Sequence, residues 1–181
     1  VDCRLAQIHP EWYRRDCHGR PQSPGFGWTD VLGFNYRNRD LRNYMIETMC
    51  YYVKECDIDG YRCDVAGLVP TDFWCAAKKA LKNLKPDIIL LAESHEPSHN
   101  ATAFDITYEE NLPKILERVF SGTLPARAIR HRIEEDRLTF PLGSLRLRFL
   151  ENHDQPRAAE ILGMRGLKVA ASLLFTLDGV P

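Results

Sequence analysis

The chain has 181 residues, of which 44% are hydrophobic and 27% are charged, the composition of a globular domain with one sizeable core. Its 24 basic and 25 acidic residues leave a net charge of −1, which gives no electrostatic reason to expect nucleic acid or an anionic membrane as a partner. No apolar run is long enough to span a bilayer. The sequence starts at Val1 without a leader pattern and stops at Pro181 within a predicted connection, so we expect both ends to be cut. The compartment is left open.

The cysteines do not point to a metal site, because no Cys-x-x-Cys pair occurs and no other spacing is typical of zinc. We expect buried or incidental thiols in preference to a metal or disulfide role. The six residues are Cys3, Cys17, Cys50, Cys56, Cys63 and Cys75.

The first 37 residues predict irregular structure, because Pro and Gly interrupt every apolar run. A long helix is predicted next, since apolar and aromatic residues recur at spacings of three and four from Leu41 to Val53. Asn38 is a suitable N-cap for this helix, and the turn-like segment 57–60 ends it near Cys56.

Strands and helices then alternate along the chain. A strand is predicted over 60–66, and a helix runs from about Thr71 to Leu84, where Lys85-Pro86 ends it. The apolar run from Ile88 to Ala92 predicts a parallel strand that is buried on both faces. The later predictions are a weak strand at 103–107, a helical stretch at about 112–136, a strand at 145–150 and a helix at about 166–177.

This alternation predicts an α/β fold with a parallel sheet. A doubly wound sheet and a (β/α)8 barrel both fit the pattern. No Gly-rich phosphate loop follows a strand, which argues against the nucleotide-binding version. The acidic residues favour the barrel, because they fall where strands end, and in barrels that end carries the chemistry.

Two acids lie near the ends of successive predicted strands. Arg62 and Asp64 lie on the same face of their strand, which we expect to be buried, and there the Arg keeps the carboxylate ionised and oriented, as a nucleophile requires. Glu93 follows the next strand directly, and apolar surroundings let a carboxylic acid keep its proton nearer to neutral pH. Each acid has a structural alternative: a buried ion pair that joins two strands, and an acid that leaves the core for solvent.

A third acid, Asp154, follows the strand at 145–150 through Asn152 and His153, whose donors and acceptors suit sugar hydroxyls. A polar loop is the alternative interpretation. Taken together, the three acids favour catalysis, because a pair of carboxylates on neighbouring strands suits glycoside cleavage.

These segments resemble motifs of the α-amylase superfamily, glycoside hydrolase family 13. Residues 59–66 (DGYRCDVA) resemble its fourth-strand motif, residues 90–93 (LLAE) its fifth-strand motif and residues 149–154 (FLENHD) its seventh-strand motif. Phe34-Asn35-Tyr36 before the long helix, and Gly179-Val180-Pro181 as the approach to an eighth strand, fit as well. The resemblance covers nearly the whole chain in the family's order.

The resemblance implies a (β/α)8 barrel and a retaining glycoside hydrolase that acts on α-glucosidic bonds of starch-like or malto-oligosaccharide substrates. By this resemblance Asp64 is the nucleophile, Glu93 the general acid/base and Asp154 the third carboxylate. The implied substrate-binding residues are Arg62, Asn152, His153 and His95. The alternative is a non-catalytic or truncated relative that binds carbohydrate or has no activity, but such proteins usually lack one of the three acids.

Some positions depart from the family's pattern. Residues 1–181 would form a partial barrel, from the third-strand loop to the start of the eighth strand, without the first strands. The family often has a calcium-binding His four residues after the nucleophile; here Leu68 stands there, so no cofactor is certain and the residues give no support for calcium. His95 stands where the family often has Trp, and it either lines the acceptor side or only lies in the loop.

Overall fold

A computed structural model describes residues 3–181, so Val1 and Asp2 of the predicted irregular segment lie outside the described residues. The described chain divides into two compact units. The first comprises residues up to 59 together with 68–88, and the second comprises residues 60–67 together with 89–181. All seven predicted site residues belong to the second unit.

The helices of the first unit are α1 (Arg4–Ile8), α2 (Arg39–Cys56) and α3 (Thr71–Leu84). The boundaries predicted for α2 and α3 are confirmed. The Asn38 side chain accepts hydrogen bonds from the backbone N–H groups of Asp40 and Leu41, which fixes the start of α2. The short helix α1 was not predicted, because it lies among the breaks of the N-terminal segment.

The buried face of α2 is narrower than the spacing of its apolar residues predicts. Leu41 and Val53 are buried, whereas Tyr44 and Tyr52, from the same predicted face, are 42% and 47% exposed. Leu41 packs with Trp12 of the N-terminal segment in a small apolar core.

The second unit contains a parallel sheet. Its strands are β1 (Gly60–Cys63), β2 (Ile89–Ala92), β3 (Ile106–Tyr108) and β4 (Leu145–Leu147). Its helices are α4 (Pro97–Thr102), α5 (Asn111–Phe120), α6 (Arg127–Thr139) and α7 (Ala158–Thr176). Within residues 3–181, no helix combines the length and apolarity that crossing a membrane requires.

The strand order decides between the two predicted architectures. All pairs are parallel and run β1-β2-β3-β4, and Val180 extends the series through a parallel bridge to Leu147. In a doubly wound sheet the order of the strands reverses at a switch point, so that later strands are added on the other side of the first. In a barrel each strand is added beside the preceding one. The sheet is therefore part of a (β/α)8 barrel.

The helices of this unit differ from the predictions where glycine changes the backbone. The predicted helix at 112–136 is two helices, because Gly122 adopts a φ of +78° and Pro125 cannot continue the first one. The last helix begins at Ala158 rather than near Gly166, and Gly163, at a φ of +65°, interrupts it. The short helix α4 was not predicted.

The register of the four strands arranges their side chains in rows. The row that we call the buried row is 0% to 7% exposed and contains Cys63, Ala92, Thr107 and Arg146. The preceding residues form the open row, which points to the opposite face and contains Arg62, Leu91, Ile106 and Leu145. The expectation that 88–92 is buried on both faces is wrong for Ile89, which also lies on the open face and is 50% exposed.

Candidate active site

Asp64 and Glu93 each come one residue after the end of a strand, at matching heights on β1 and β2. The Glu93 N–H donates to the Cys63 carbonyl oxygen over 3.0 Å, which continues the ladder up to the acids. The two strands also approach closely at their start: a Cβ on Gly60 would lie 2.5 Å from the Ile89 carbonyl oxygen. Glycine at this position therefore permits the pairing that brings the two acids side by side.

Arg62 joins both acids. Its Nη1 donates to Asp64 Oδ1, and its Nη2 donates to Glu93 Oε1 over 2.6 Å. Partial burial lowers the pKa of Arg62, but hydrogen bonds to Tyr108 and Asp64, with the charge of Glu93, raise it overall. The guanidinium is thus a fixed positive charge that holds two carboxyl groups on one side of the sheet.

Tyr108, at the end of β3, completes this group and was missed by the sequence analysis. Its hydroxyl accepts a hydrogen bond from Arg62 Nε over 3.2 Å, and its ring centre lies 5.6 Å from Arg62 Cζ, a cation–π distance. Phe149 packs on the same ring at 5.3 Å. The predicted strand at 103–107 stopped one residue short of Tyr108, although an aromatic hydroxyl at a strand end was the available signal.

The two acids differ in exposure. The Asp64 side chain is 72% exposed, so its expected position on a buried face is wrong: β1 ends at Cys63, and Asp64 begins the turn beyond it. The Glu93 side chain is only 17% exposed. One carboxyl group is therefore open to solvent, and the other is sheltered.

The backbone of Val65 contacts Glu93, the less exposed of the two acids. Its N–H donates to Glu93 Oε2 over 2.7 Å, so both oxygens of Glu93 accept hydrogen bonds. Val65 has a φ of +44°, a conformation that a β-branched residue adopts only at a cost of about 1–3 kcal/mol. The neighbouring N–H of Ala66 also donates to the Glu93 carbonyl oxygen, so the strained turn is fastened to β2 at two points.

Residues 152–154, which we call the Asp154 loop, form no hydrogen bond or ion pair with this group in the described part of the chain. Among the described residues, the Asp154 carboxylate pairs with His153 Nε2 at 3.2 Å, and its N–H donates to Asn152 Oδ1 at 3.0 Å. The His153 and Asp154 side chains are 70% and 67% exposed. The structure therefore brings Arg62 to two of the three predicted acids, and it places the third on an open loop beyond β4.

The remaining predicted residue, His95, is exposed in the loop after Glu93. No group of three metal-ligating side chains occurs in the described part of the chain, and the side chain of Leu68 offers no ligand atom. All six cysteines are free thiols.

A fourth acid, Glu109, also follows a strand end directly, and the sequence analysis did not select it. It is completely buried. Its Oε1 accepts hydrogen bonds from the N–H groups of Asn111 and Leu112 at 2.9 and 3.0 Å, which fixes the start of α5. Its Oε2 accepts one from Arg146 at 3.1 Å. Glu109 is therefore a packed structural group.

Glu109 belongs to a set that we call the buried charge cluster: Glu109, Asp136, Arg146 and Arg148. Burial, and then the hydrogen bond and charge of Asp136, raise the pKa of Glu109. Burial also raises the pKa of Asp136, but its hydrogen bond with Glu109 and the charges of Arg146 and Arg132 outweigh burial and lower it. Glu109 is thus the first of the two to take up a proton.

The fold and the placement of its polar groups define the class: a parallel (β/α) barrel domain that gathers ionisable side chains beyond the carboxyl ends of its strands. The α-amylase catalytic-domain model matches residues 28–181, and the chain belongs to that family, glycoside hydrolase family 13.

Individual relatives agree with this assignment. Over 174 residues the chain is 29% identical to the α-amylase MalA of Haloarcula japonica, and this alignment covers 94% of this chain and 26% of that protein. Over 165 residues it is 29% identical to a cyclomaltodextrinase of Geobacillus thermopakistaniensis, covering 87% of this chain and 28% of that protein. The crystal structure of the maltogenic α-amylase AmyB from Thermotoga neapolitana superposes with a TM-score of 0.90 at 42% identity, covering 100% of this chain and 42% of that one. The chain therefore spans between about a quarter and a half of the length of these relatives.

Proposed function

We propose that this chain carries the catalytic core of a retaining glycoside hydrolase that cleaves α-glucosidic bonds in starch-like polymers or malto-oligosaccharides. The contact of one arginine, Arg62, with both Asp64 and Glu93 at neighbouring strand ends carries the proposal. The three relatives named above, an α-amylase, a cyclomaltodextrinase and a maltogenic α-amylase, support the α-glucan substrate class. Because they are longer, we treat residues 1–181 as a partial barrel domain and the activity as that of a longer polypeptide that contains it.

Asp64 is the proposed nucleophile. One of its oxygens forms a bond to the anomeric carbon as the bond from that carbon to the leaving oxygen breaks. Its open side chain suits an attack on a substrate that arrives from solvent, and the contact with Arg62 orients it. The product of this step is a covalent glycosyl-enzyme.

Glu93 is the proposed general acid/base. It gives its proton to the leaving oxygen in the first step; in the second it takes a proton from the water whose oxygen bonds to the anomeric carbon and releases Asp64. The direct contact of Arg62 with both carboxyl groups suits the separation of about 5–5.5 Å that a retaining mechanism needs. Glu93 is the less exposed of the two carboxyl groups, which suits a group that exchanges its proton with a bound substrate.

The loop after β4 is the proposed sugar-binding element. Asp154 would hold sugar hydroxyls more tightly in the transition state than in the ground state, with Asn152 and His153 beside it. Their open side chains retain hydrogen-bonding capacity for a ligand. His95 would contact the leaving-group side of the substrate.

The test is the release of reducing sugar from starch and maltotriose, measured on this chain and on a longer polypeptide that contains it. Asp64→Asn and Glu93→Gln should each lower kcat/KM by about 10³-fold or more. The matched controls are Asp87→Asn and Glu117→Gln, which make the same changes at exposed positions and should keep activity within about twofold. NMR of the first product should show the α-anomer. Full activity in Asp64→Asn would refute the assigned role, and a β-anomer would refute retention.

A further inference from the structure

A large cleft in the first unit is lined by an unusual number of arginines. Its volume is about 930 Å³. We call it the arginine cleft, after Arg14, Arg15, Arg37, Arg39 and Arg42. The chain as a whole carries a net charge of −1, so five guanidinium groups around one hollow are a strong local concentration of positive charge.

The acidic residues of the cleft do not neutralise it. Its lining includes two carboxylates, Asp72 and Glu11. Asp72 forms an ion pair with Arg42, whose Nη2 donates to Asp72 Oδ2 over 2.8 Å. This hydrogen bond lowers the pKa of Asp72. Glu11 faces His9 at 3.2 Å. An excess of three positive charges is left, and Arg37 makes no ion pair within residues 3–181.

Two helices add to this field from their positive ends. Arg39 and Arg42 come from the first turns of α2, whereas Pro70 and Asp72 stand at the start of α3. No side chain caps the N-terminus of α3 with a hydrogen bond. The N-terminus of a helix carries a partial positive charge and favours anions. Both helix ends therefore reinforce the arginines.

Backbone contacts orient some of these arginines in advance. Arg14 Nε donates to the Phe34 carbonyl oxygen at 3.2 Å, and Arg15 Nη1 donates to the Gly19 carbonyl oxygen at 2.6 Å. The two Nη groups of Arg14 have no partner among the described residues and are available to a ligand. A guanidinium fixed in this way gives two parallel hydrogen bonds to a phosphate at little further entropic cost.

We propose that the arginine cleft binds a phosphate group, either as free phosphate or as part of a phosphorylated sugar. A phosphomonoester carries about −1.5 to −2 charges near pH 7 and three acceptor oxygens. Its charge complements the excess positive charge of the cleft, and its oxygens can accept hydrogen bonds from several guanidinium groups. A neutral sugar needs no such surplus. The polar side chain of Gln22 also lines the cleft and offers a partner for a sugar hydroxyl. This site belongs to the first unit, and it does not depend on the proposed function.

The experiment is isothermal titration calorimetry of the chain with inorganic phosphate and with glucose 1-phosphate, at an ionic strength held constant with KCl. Glucose serves as the neutral comparison. Arg37→Gln and Arg39→Gln should each weaken binding about tenfold, the effect of losing one charged contact. Arg130→Gln, which removes an exposed helical arginine of the second unit, should leave it unchanged. Circular dichroism verifies that each variant is folded.

Each outcome decides the proposal. Equal affinity for the two phosphates supports it and identifies the free phosphate group as the sole determinant. Tighter binding of glucose 1-phosphate supports it and assigns a sugar phosphate as the ligand. Absence of binding by both compounds, or equal weakening by Arg39→Gln and Arg130→Gln, overturns it. Phosphate binding that persists in Asp64→Asn separates this site from the proposed catalytic one.

Discussion

The open row and the buried row run across the same four strands, one residue apart, and they place similar groups in opposite environments. Arg62 in the open row has a side chain that is 30% exposed and holds Asp64, which is 72% exposed. Arg146 in the buried row has a side chain that is 4% exposed and holds Glu109, which is completely buried. Both arginines face an acid near a strand end. An acid at that position is therefore no guide to function unless its face of the sheet is known.

The contrast teaches which charges can react. Glu109 accepts two backbone hydrogen bonds and forms ion pairs with two arginines, and it is completely buried. Its carboxylate therefore has a structural role and is not accessible to a substrate. Asp64 has Arg62 on one side and solvent on the other, so it remains free to meet a ligand. If structural and reactive charges are divided in this way, substitutions in the buried row should change stability and those in the open row should change activity.

The largest effect should come from breaking the buried charge cluster. Arg146→Met leaves Glu109 buried without its closest cation and loses the contact of the guanidinium with Phe140, whose ring centre is 3.5 Å away. We expect the free energy of unfolding to fall by about 3–5 kcal/mol in urea titrations. Arg130→Met is the control, because Arg130 is exposed and its ion pair with Glu134 lies in solvent, where such a pair adds little to stability. Equal losses in both variants would contradict the comparison.

The same variant should respond to pH in a defined direction. The charge of Arg146 lowers the pKa of Glu109, so its removal raises that pKa further above the unfolded value of about 4.3. A group with a raised folded pKa contributes stability at low pH and loses it as pH rises through that pKa. The destabilisation by Arg146→Met should therefore be smaller at pH 5 than at pH 7. A gap that widens on acidification would show that Glu109 is not the affected group.

A second test probes the buried row through its thiol. Burial raises the pKa of Cys63 to about 12, so at pH 8 only about 10⁻⁴ of it is thiolate, against about a quarter for an ordinary exposed thiol. Iodoacetamide should modify Cys63 about 10³-fold more slowly than the exposed Cys17 and Cys56, as followed by peptide mass spectrometry. In urea the difference should disappear. Rapid native labelling of Cys63 would mean that this face of the sheet is open.

The sequence predicted helix ends where a local signal fixes them, and it failed where a glycine changes the backbone inside a predicted helix. The start of α2 could be predicted because the Asn38 side chain caps it through local hydrogen bonds. The end of α3 could be predicted because Lys85-Pro86 cannot continue a helix. The break at Gly163 was not readable, because a glycine can remain helical or turn, and tertiary packing decides.

The candidate site shows the same limit. The alternation of residues on a strand was enough to place Arg62 and Asp64 together, and the family motif identified Glu93. Tyr108 and Glu109 were missed, because their roles depend on which face of β3 points to which neighbour, a property of the register with β2 and β4. The Asp154 loop is the converse case, since its motif was recognised but its contacts in the structure are local.

A third test asks whether Tyr108 positions Arg62 on the open face. Tyr108→Phe keeps the ring under the guanidinium and removes the hydroxyl that accepts from Arg62 Nε. We expect a loss of about 1 kcal/mol in stability and about a tenfold fall in kcat/KM of the longer polypeptide, with KM little changed. Tyr51→Phe, at an exposed position on α2, is the matched control. Unchanged kinetics in Tyr108→Phe would leave the aromatic ring as the only contribution of this residue.

The smallest change in the free energy of unfolding is expected for Asp64, because its side chain is in solvent. Asp64→Asn removes one partner of an arginine, as Arg146→Met does, but the Asp64 side chain is in solvent, where an ion pair contributes about 0–1 kcal/mol. Its free energy of unfolding should therefore stay within about 1 kcal/mol of the parent, as for Asp87→Asn, while activity is lost. A loss of stability as large as that of Arg146→Met would instead show that Arg62 and Asp64 serve to join strands. Stability retained with activity lost is the result that assigns Asp64 to chemistry, because a structural ion pair cannot produce it.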